Sequence, residues 1–300
     1  MITRRRFLAH SSLTLACAAI GHGVVAISGA APNIPFRLSA MLWTLRPRYS
    51  AEQAIDLIAA AGYNGFELVD EDIHWPPAKV ATLRAHIDSL GIVCDAVSGI
   101  ATGFAQRGAS SALLAELAAR IRQSRGLGCR RIILLSGSRD TSVSRADQHD
   151  VCIRNLRAAA ALAAQEEVEL LLEPIDLLEN PAVYLTQAEE AFALVRAVGS
   201  PRIRVLYDIY HQARGLHDTG NTAKLLAPLN GNLPLLGLVH VANVPGRRQP
   251  AHGNIDYPAI YTGLAQRGYR GWLAMEFLPV GKASAELKAA RQSLQSIFGH

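Results

Sequence analysis

The stretch "VELLLEPIDLLENPAVYLTQAEEAFALVRAVGSPRIRVLYDIYHQ", Val168 to Gln212, holds two short apolar runs separated by one helical pattern. The first run reads as a buried strand that stops at Glu173. The second, Ile203 to Tyr207, stops at Asp208, with His211 three residues on. Between them "TQAEEAFALVRAVG" spaces its apolar residues as a helix does and ends on Gly199, which accepts the left-handed backbone of a helix C-terminus. Strand, helix, strand makes the two strands parallel, because the crossover returns the chain in its original direction. No turn requires a carboxylate at a strand end, yet the pattern recurs. "LLGLVHVAN" carries His240 near its end and "GWLAMEF" carries Glu276.

The same alternation extends outward in both directions. From residue 36 the candidate strands are "RLSAML", "GFELV", "GIVCDAV", "RRIILLSG", "VELLLEP", "RIRVLYD", "LLGLVHVA" and "WLAMEF". Helical patterns such as "AEQAIDLIAAA" and "SALLAELAARIRQSRGLG" lie between them, and Gly62, Gly91, Gly128 and Gly268 repeat the punctuation of Gly199. Eight parallel strands in a chain of this length predict one α/β domain, a (β/α)8 TIM barrel spanning 36–300. An open doubly wound sheet is the second reading. It calls for a glycine-rich phosphate loop after the first strand, and "SAMLWTLRPRYS" has none.

Residues 1–30, "MITRRRFLAHSSLTLACAAIGHGVVAISGA", read as a cleavable export signal that precedes the domain. Arg4 and Arg5 with Phe7 and Leu8 fit a twin-arginine signal, and Ser28 and Ala30 are small enough for cleavage. Transient contact with the twin-arginine export machinery and a periplasmic location are expected. As a membrane anchor the apolar stretch is short and broken by Gly21 and Gly23. The same segment holds Arg4, Arg5, Arg6 and no acid, so it supplies three of the five surplus positive charges. The remainder is nearly balanced and shows no basic stripe with interleaved aromatics, which argues against a nucleic-acid partner. Cys94, Cys129 and Cys152 follow the signal. An odd count without C-x-x-C spacing makes neither a disulfide framework nor a thiolate metal site, so they are expected to pack in the core.

A closed barrel brings all strand ends to one face. Glu173, Asp208, His240 and Glu276, from the fifth to eighth strands, are then neighbours on its rim. Three carboxylates gathered there repel one another and lose hydration, at about several kcal/mol per ion. One divalent cation removes that cost. Oxygen donors with a single imidazole suit Mg²⁺ or Mn²⁺, with Zn²⁺, Co²⁺ and Fe²⁺ also admitted. The competing reading has each acid capping a helix or pairing with an arginine separately. His211, just past Asp208, can hydrogen-bond a substrate oxygen, and Arg247 in "NVPGRRQP" can clamp a carboxylate or hydroxyl. Glu179 stands six residues after Glu173. His74, His217 and His252 have no such context.

"LSAMLWT", "AAGYNGFEL", "LGCRRI", "LLLEPID", "YDIYHQ", "HVANVPGRRQP" and "IDYPAIYTGLAQRGYRGWLAMEFLP" resemble the hydroxypyruvate isomerases, part of the xylose-isomerase-like barrel superfamily of sugar isomerases and epimerases. The resemblance covers essentially the whole chain after the signal and is most specific from Pro245 to Glu276. It implies that Glu173, Asp208, His240 and Glu276 hold the metal. It makes Glu173 and Glu276 the proton-transferring pair, and places His211, Arg247 and Glu179 on the substrate. The expected reaction interconverts hydroxypyruvate and tartronate semialdehyde through an enediolate. The chain departs from that branch in three places. His240 stands where glutamine is usual, "GRRQP" replaces "GRHEP", and "GN" replaces "GE", which sets Arg248, Gln249 and Asn254 beside the pocket with an altered substrate reading.

Three functions therefore compete. The first is a metal-dependent isomerase of a small hydroxy-keto acid. The second is a sugar epimerase with the same residues, favoured by His240 and Glu179. The third is a secreted barrel that binds a sugar or acid without turnover. A barrel endonuclease is weaker, because a multi-metal phosphodiester site needs more histidines at the strand ends. A homo-oligomer is left open.

Overall fold

The computed structural model describes residues 34–299 apart from residues 47, 217 and 218. The export segment expected at residues 1–30 lies outside the described residues, as does His217. Eight parallel strands close a barrel in chain order: β1 (Arg37–Met41), β2 (Gly65–Leu68), β3 (Val93–Val97), β4 (Arg131–Leu135), β5 (Glu169–Glu173), β6 (Ile203–Asp208), β7 (Leu236–Val241) and β8 (Trp272–Met275). The ring is shut by β8 pairing with β1, Leu38 opposite Leu273 and Ala40 opposite Met275. Each strand expected from the sequence is present, and the open doubly wound sheet is ruled out by that closing pair.

The helices that return the chain are α1 (Ala51–Ala60), α2 (Pro77–Leu90), α3 (Ser110–Gly126), α4 (Arg145–Gln165), α5 (Ala188–Val198), α6 (Ile209–Leu216), α7 (Thr222–Leu226), α8 (Tyr257–Gln266) and α9 (Ala283–Phe298). Their ends follow local chemistry. Ser50 and Gln53 form a reciprocal capping box on α1. Gly199 closes α5 at φ 72°, where a side chain would be strained. No described helix is long and apolar enough to cross a membrane.

Strand parity explains where the polar tails go. Successive side chains alternate between the two faces of a strand. On β5, Leu170 and Leu172 pack outward with the helices while Leu171 faces the lumen; on β6, Val205 and Tyr207 go outward and Leu206 inward. Leu238 and Ala274 are the inward residues of β7 and β8. Each donor stands two residues after one of these four: Glu173, Asp208, His240 and Glu276. All four consequently point into the mouth. Each fully buried leucine of the outer layer contributes about 1.5–3 kcal/mol, which holds the strands in this register.

The opposite end of the lumen is plugged by Trp272, with the Arg37 and Arg131 guanidinium carbons 4.1 Å and 5.3 Å from its ring centroid. The plug depends on Gly65. A methyl group there would lie 3.0 Å from the indole and 2.7 Å from the Val93 carbonyl oxygen. Cys94, Cys129 and Cys152 are buried and free, as their apolar contexts indicated.

Candidate metal and active centre

Glu173 is the last residue of β5 and Asp208 the last of β6. His240 stands one residue before the end of β7, and Glu276 directly follows β8. One donor atom from each lies within 4.8 Å of the others, and the residues are 7 %, 1 %, 0 % and 7 % exposed. The set expected from the sequence is thus brought together. Asp208 Oδ1 accepts the backbone N–H of Tyr210 at 2.8 Å, while its buried Oδ2 has no hydrogen-bond partner. His211 Nε2 and Arg247 Nη2 lie at 3.4 Å and 3.5 Å from it, outside good hydrogen-bond geometry, and a buried carboxylate oxygen so placed is costly. A cation beside it removes that cost, and oxygen ligands around one nitrogen are what a hard divalent ion accepts. The residues present therefore fit such an ion.

Side chains around the four donors set their charge states. Glu276 accepts the indole N–H of Trp43 at 2.8 Å on Oε1, and Arg247 Nη2 approaches its Oε2 at 2.8 Å. His240 Nδ1 is 2.9 Å from the same Oε2 and 3.6 Å from Glu173 Oε1. Burial raises the proton affinity of Glu276, but Arg247 and His240 outweigh it and hold the carboxyl well below the usual range. Glu173 has no arginine beside it and only the longer contact to His240. Burial pushes it up to about 7, with the neighbouring Glu276 and Asp208 adding to the rise against His240. Two carboxyl groups at one mouth thus differ sharply in proton affinity. Burial lowers the affinity of His240 for its proton, yet Glu67 and Glu276 raise it well above the ordinary imidazole value.

His211 occupies the first turn of α6. Its Nδ1 lies 2.7 Å from Asp176 and its Nε2 3.4 Å from Asp208 Oδ2. Burial disfavours the imidazolium, but Asp208 and Asp176 prevail and raise its proton affinity. Arg247 is clamped rather than free on its loop. It is 6 % exposed, sits at φ 55°, donates from Nε to the Glu276 carbonyl oxygen, and lies between the Tyr210 and Trp43 rings, 4.8 Å and 5.3 Å from their centroids. Glu179 is exposed and bonds Arg214 at 2.7 Å, with Arg247 Nη1 at 3.6 Å. The three residues that depart from the branch differ in their surroundings. Arg248 and Asn254 are exposed, and Gln249 is buried with its side-chain oxygen accepting the Ala251 N–H. Gln249 braces the loop because the tight turn at Gly246 and Arg247 directs it inward.

Three functional-site neighbours escaped the sequence reading. Trp43 holds Glu276 across 233 positions. Asp176 orients His211 and, through Oδ1, caps the turn at Leu178. Glu67 meets the far side of His240, Nε2 to Oε2 at 3.0 Å. Glu67 alone left a usable signal, a carboxylate in the apolar strand "GFELV".

Comparison with known proteins agrees with this fold. The family model described as "Xylose isomerase-like TIM barrel" matches residues 55–297. A human protein named "Putative hydroxypyruvate isomerase" is 34% identical over 263 residues, 82% of this chain and 91% of its own length. A 2-oxo-tetronate isomerase of Cupriavidus necator is 29% identical over 250 residues, 80% of this chain and 92% of its own. Among solved structures, a family 2 AP endonuclease from Brucella melitensis superposes with a TM-score of 0.74 at 24% identity, covering 85% of this chain and 98% of that one, a likeness of fold alone. The chain belongs to the xylose isomerase-like TIM barrel family, on its hydroxypyruvate isomerase branch.

Proposed function

We propose that the protein is a divalent-metal-dependent isomerase that interconverts hydroxypyruvate and tartronate semialdehyde, or a closely similar small hydroxy-keto acid. The observation that carries this reading is the pair Glu173 and Glu276, unequal in proton affinity, on one buried donor set with Asp208 and His240. The relatives whose names specify 2-oxo acids favour an acid substrate over a neutral sugar.

The residues divide the work as follows. Glu173, Asp208, His240 and Glu276 would hold the ion, which supplies stabilisation of the negative charge that builds on the substrate's two oxygens. Arg247 and His211 present positive charge to the substrate carboxylate and oxygens. One glutamate takes a proton from the hydroxymethyl carbon, leaving an enediolate. A proton returns to the former ketone carbon, and the hydroxyl proton passes to the oxygen on that carbon, so atoms and charge balance. A group near pH 7, as Glu173 is, is matched to moving protons under neutral conditions.

The test is solvent-deuterium incorporation with Mn²⁺ or Mg²⁺ across hydroxypyruvate, a four-carbon 2-oxo acid and free ketoses. The acids are expected to exchange and isomerise. Arg247→Met should raise KM for them about 10- to 100-fold, the loss of a charge-assisted contact of about 1.5–3 kcal/mol. Exchange with ketoses alone would hand the assignment to the epimerase reading, which His240 and the mouth position of Glu179 favour. No exchange with any of them would remove the isomerase.

Ion affinity should depend on pH with a definite sign. Glu173, raised to about 7, and His240, raised above its ordinary value, both carry protons in acid solution and must release them to act as ligands. Affinity for Mn²⁺ therefore rises with pH, by about tenfold per unit for each proton released, most steeply below pH 7. Calorimetric titration in buffers of different ionisation enthalpy counts those protons. An affinity flat from pH 6 to 8 would contradict these charge states.

A further inference from the structure

We propose that Glu67 of β2 is a positioning residue for the metal centre: it takes the Nε2–H of His240 and so presents Nδ1 to the ion. The inference rests on the four-donor set being a metal site, and it concerns a residue outside that set.

His240 is completely buried, and both of its ring nitrogens face a carboxylate. Nε2 is 3.0 Å from Glu67 Oε2, whereas Nδ1 is 2.9 Å from Glu276 and 3.6 Å from Glu173. Only Nδ1 lies on the side of the other donors. An imidazole binds a metal through a nitrogen that carries no proton, and the partner of its other nitrogen decides which one that is. Glu67 Oε2, 3.0 Å from Nε2, is the acceptor that keeps the proton there.

Glu67 is itself fixed. It is 0 % exposed, and its Oε1 is 3.3 Å from Ser39 Oγ, which shares its hydroxyl with Asp95 Oδ2 at 3.0 Å. Asp95 in turn pairs with Arg131, whose guanidinium lies over the Trp272 plug. A string of polar side chains from β4, β3, β1 and β2 thus ends on the back of the β7 imidazole. Strands β2 and β7 are not neighbours in the barrel, so the Glu67–His240 bond crosses the lumen. Apolar side chains would fill that space at least as stably as a buried carboxylate–imidazole pair. Orientation of the ligand nitrogen is what an apolar pair could not supply.

The test compares Mn²⁺ and Mg²⁺ binding by calorimetry in the metal-free parent and in Glu67→Gln, with ¹⁵N-histidine NMR of the Mg²⁺-loaded parent. Expected are a 10- to 100-fold weaker affinity in the variant and, in the parent, a proton on His240 Nε2 with Nδ1 bare. Binding within threefold of the parent, or a proton on Nδ1 in the loaded parent, overturns the proposal. If Glu67→Gln loses its circular-dichroism spectrum, the NMR result on the parent decides in either direction. A parent that binds neither ion overturns the metal site itself, and Glu67's role with it. Normal parent binding left unchanged by the variant overturns Glu67 alone.

Discussion

Stripping the protein of divalent ions with a chelator should lower its isomerase rate by about 10³-fold or more, and added Mn²⁺ or Mg²⁺ should restore it. The magnitude follows from the several kcal/mol that such an ion contributes to a developing oxyanion, at tenfold per 1.36 kcal/mol. The stripped protein should stay folded. His240 Nδ1 then bonds Glu276, Arg247 pairs with the same carboxylate, and Glu173, at about 7, can take up a proton in place of a cation. Asp208 Oδ2 is the atom left without a hydrogen bond, with His211 Nε2 and Arg247 Nη2 at 3.4 Å and 3.5 Å. Thermal melting should therefore drop without the ion and climb with ion concentration, as ligand linkage requires. Undiminished turnover after chelation, with metal content verified as absent, would end the metal-dependent mechanism.

Replacing the paired glutamates should be nearly as damaging, and the two variants should differ in stability. Glu173→Gln and Glu276→Gln each remove a group proposed to transfer protons, for which losses of about 10²–10⁴ in kcat are expected. At pH 6 a glutamine at the first position resembles the protonated carboxyl that already prevails there, so Glu173→Gln should melt close to the parent. Glu276→Gln instead leaves Arg247 and His240 facing a neutral amide in a buried site. Breaking such a pair costs about 3–5 kcal/mol, and melting should fall accordingly. Deuterium exchange measures the first effect and calorimetry the second. Should both variants bind substrate like a parent that shows no turnover, the barrel is a binding protein.

The contrast between those variants comes from partners that no local pattern discloses. Strand tails marked Glu173, Asp208, His240 and Glu276, because a polar residue ending an apolar run stands out within a few residues. Trp43 did not stand out, since an indole after "LSAML" reads as core until Glu276, 233 positions away, is placed beside it. Asp176 ends no apolar run, and nothing in "EPID" shows that it both caps a turn and orients His211. Arg247 was legible as a cation on a loop, but its clamping between Tyr210 and Trp43 was not. Arg248 and Asn254 are exposed whereas Arg247 and Gln249 are buried, an alternation along one loop that no local sequence pattern discloses.

By itself the sequence determined the barrel and the rim of it on which the four donors gather. Both rest on short-range physics: alternation along a strand, apolar spacing along a helix, glycine where the backbone turns left-handed. Only the tertiary structure decided which nitrogen of His240 faces the other donors, which glutamate is held ionised and which stands near 7, and that Glu67 meets the far side of His240. Those outcomes depend on distances of a few ångströms between strands that are remote in the chain, and such distances exist only once β8 has closed on β1.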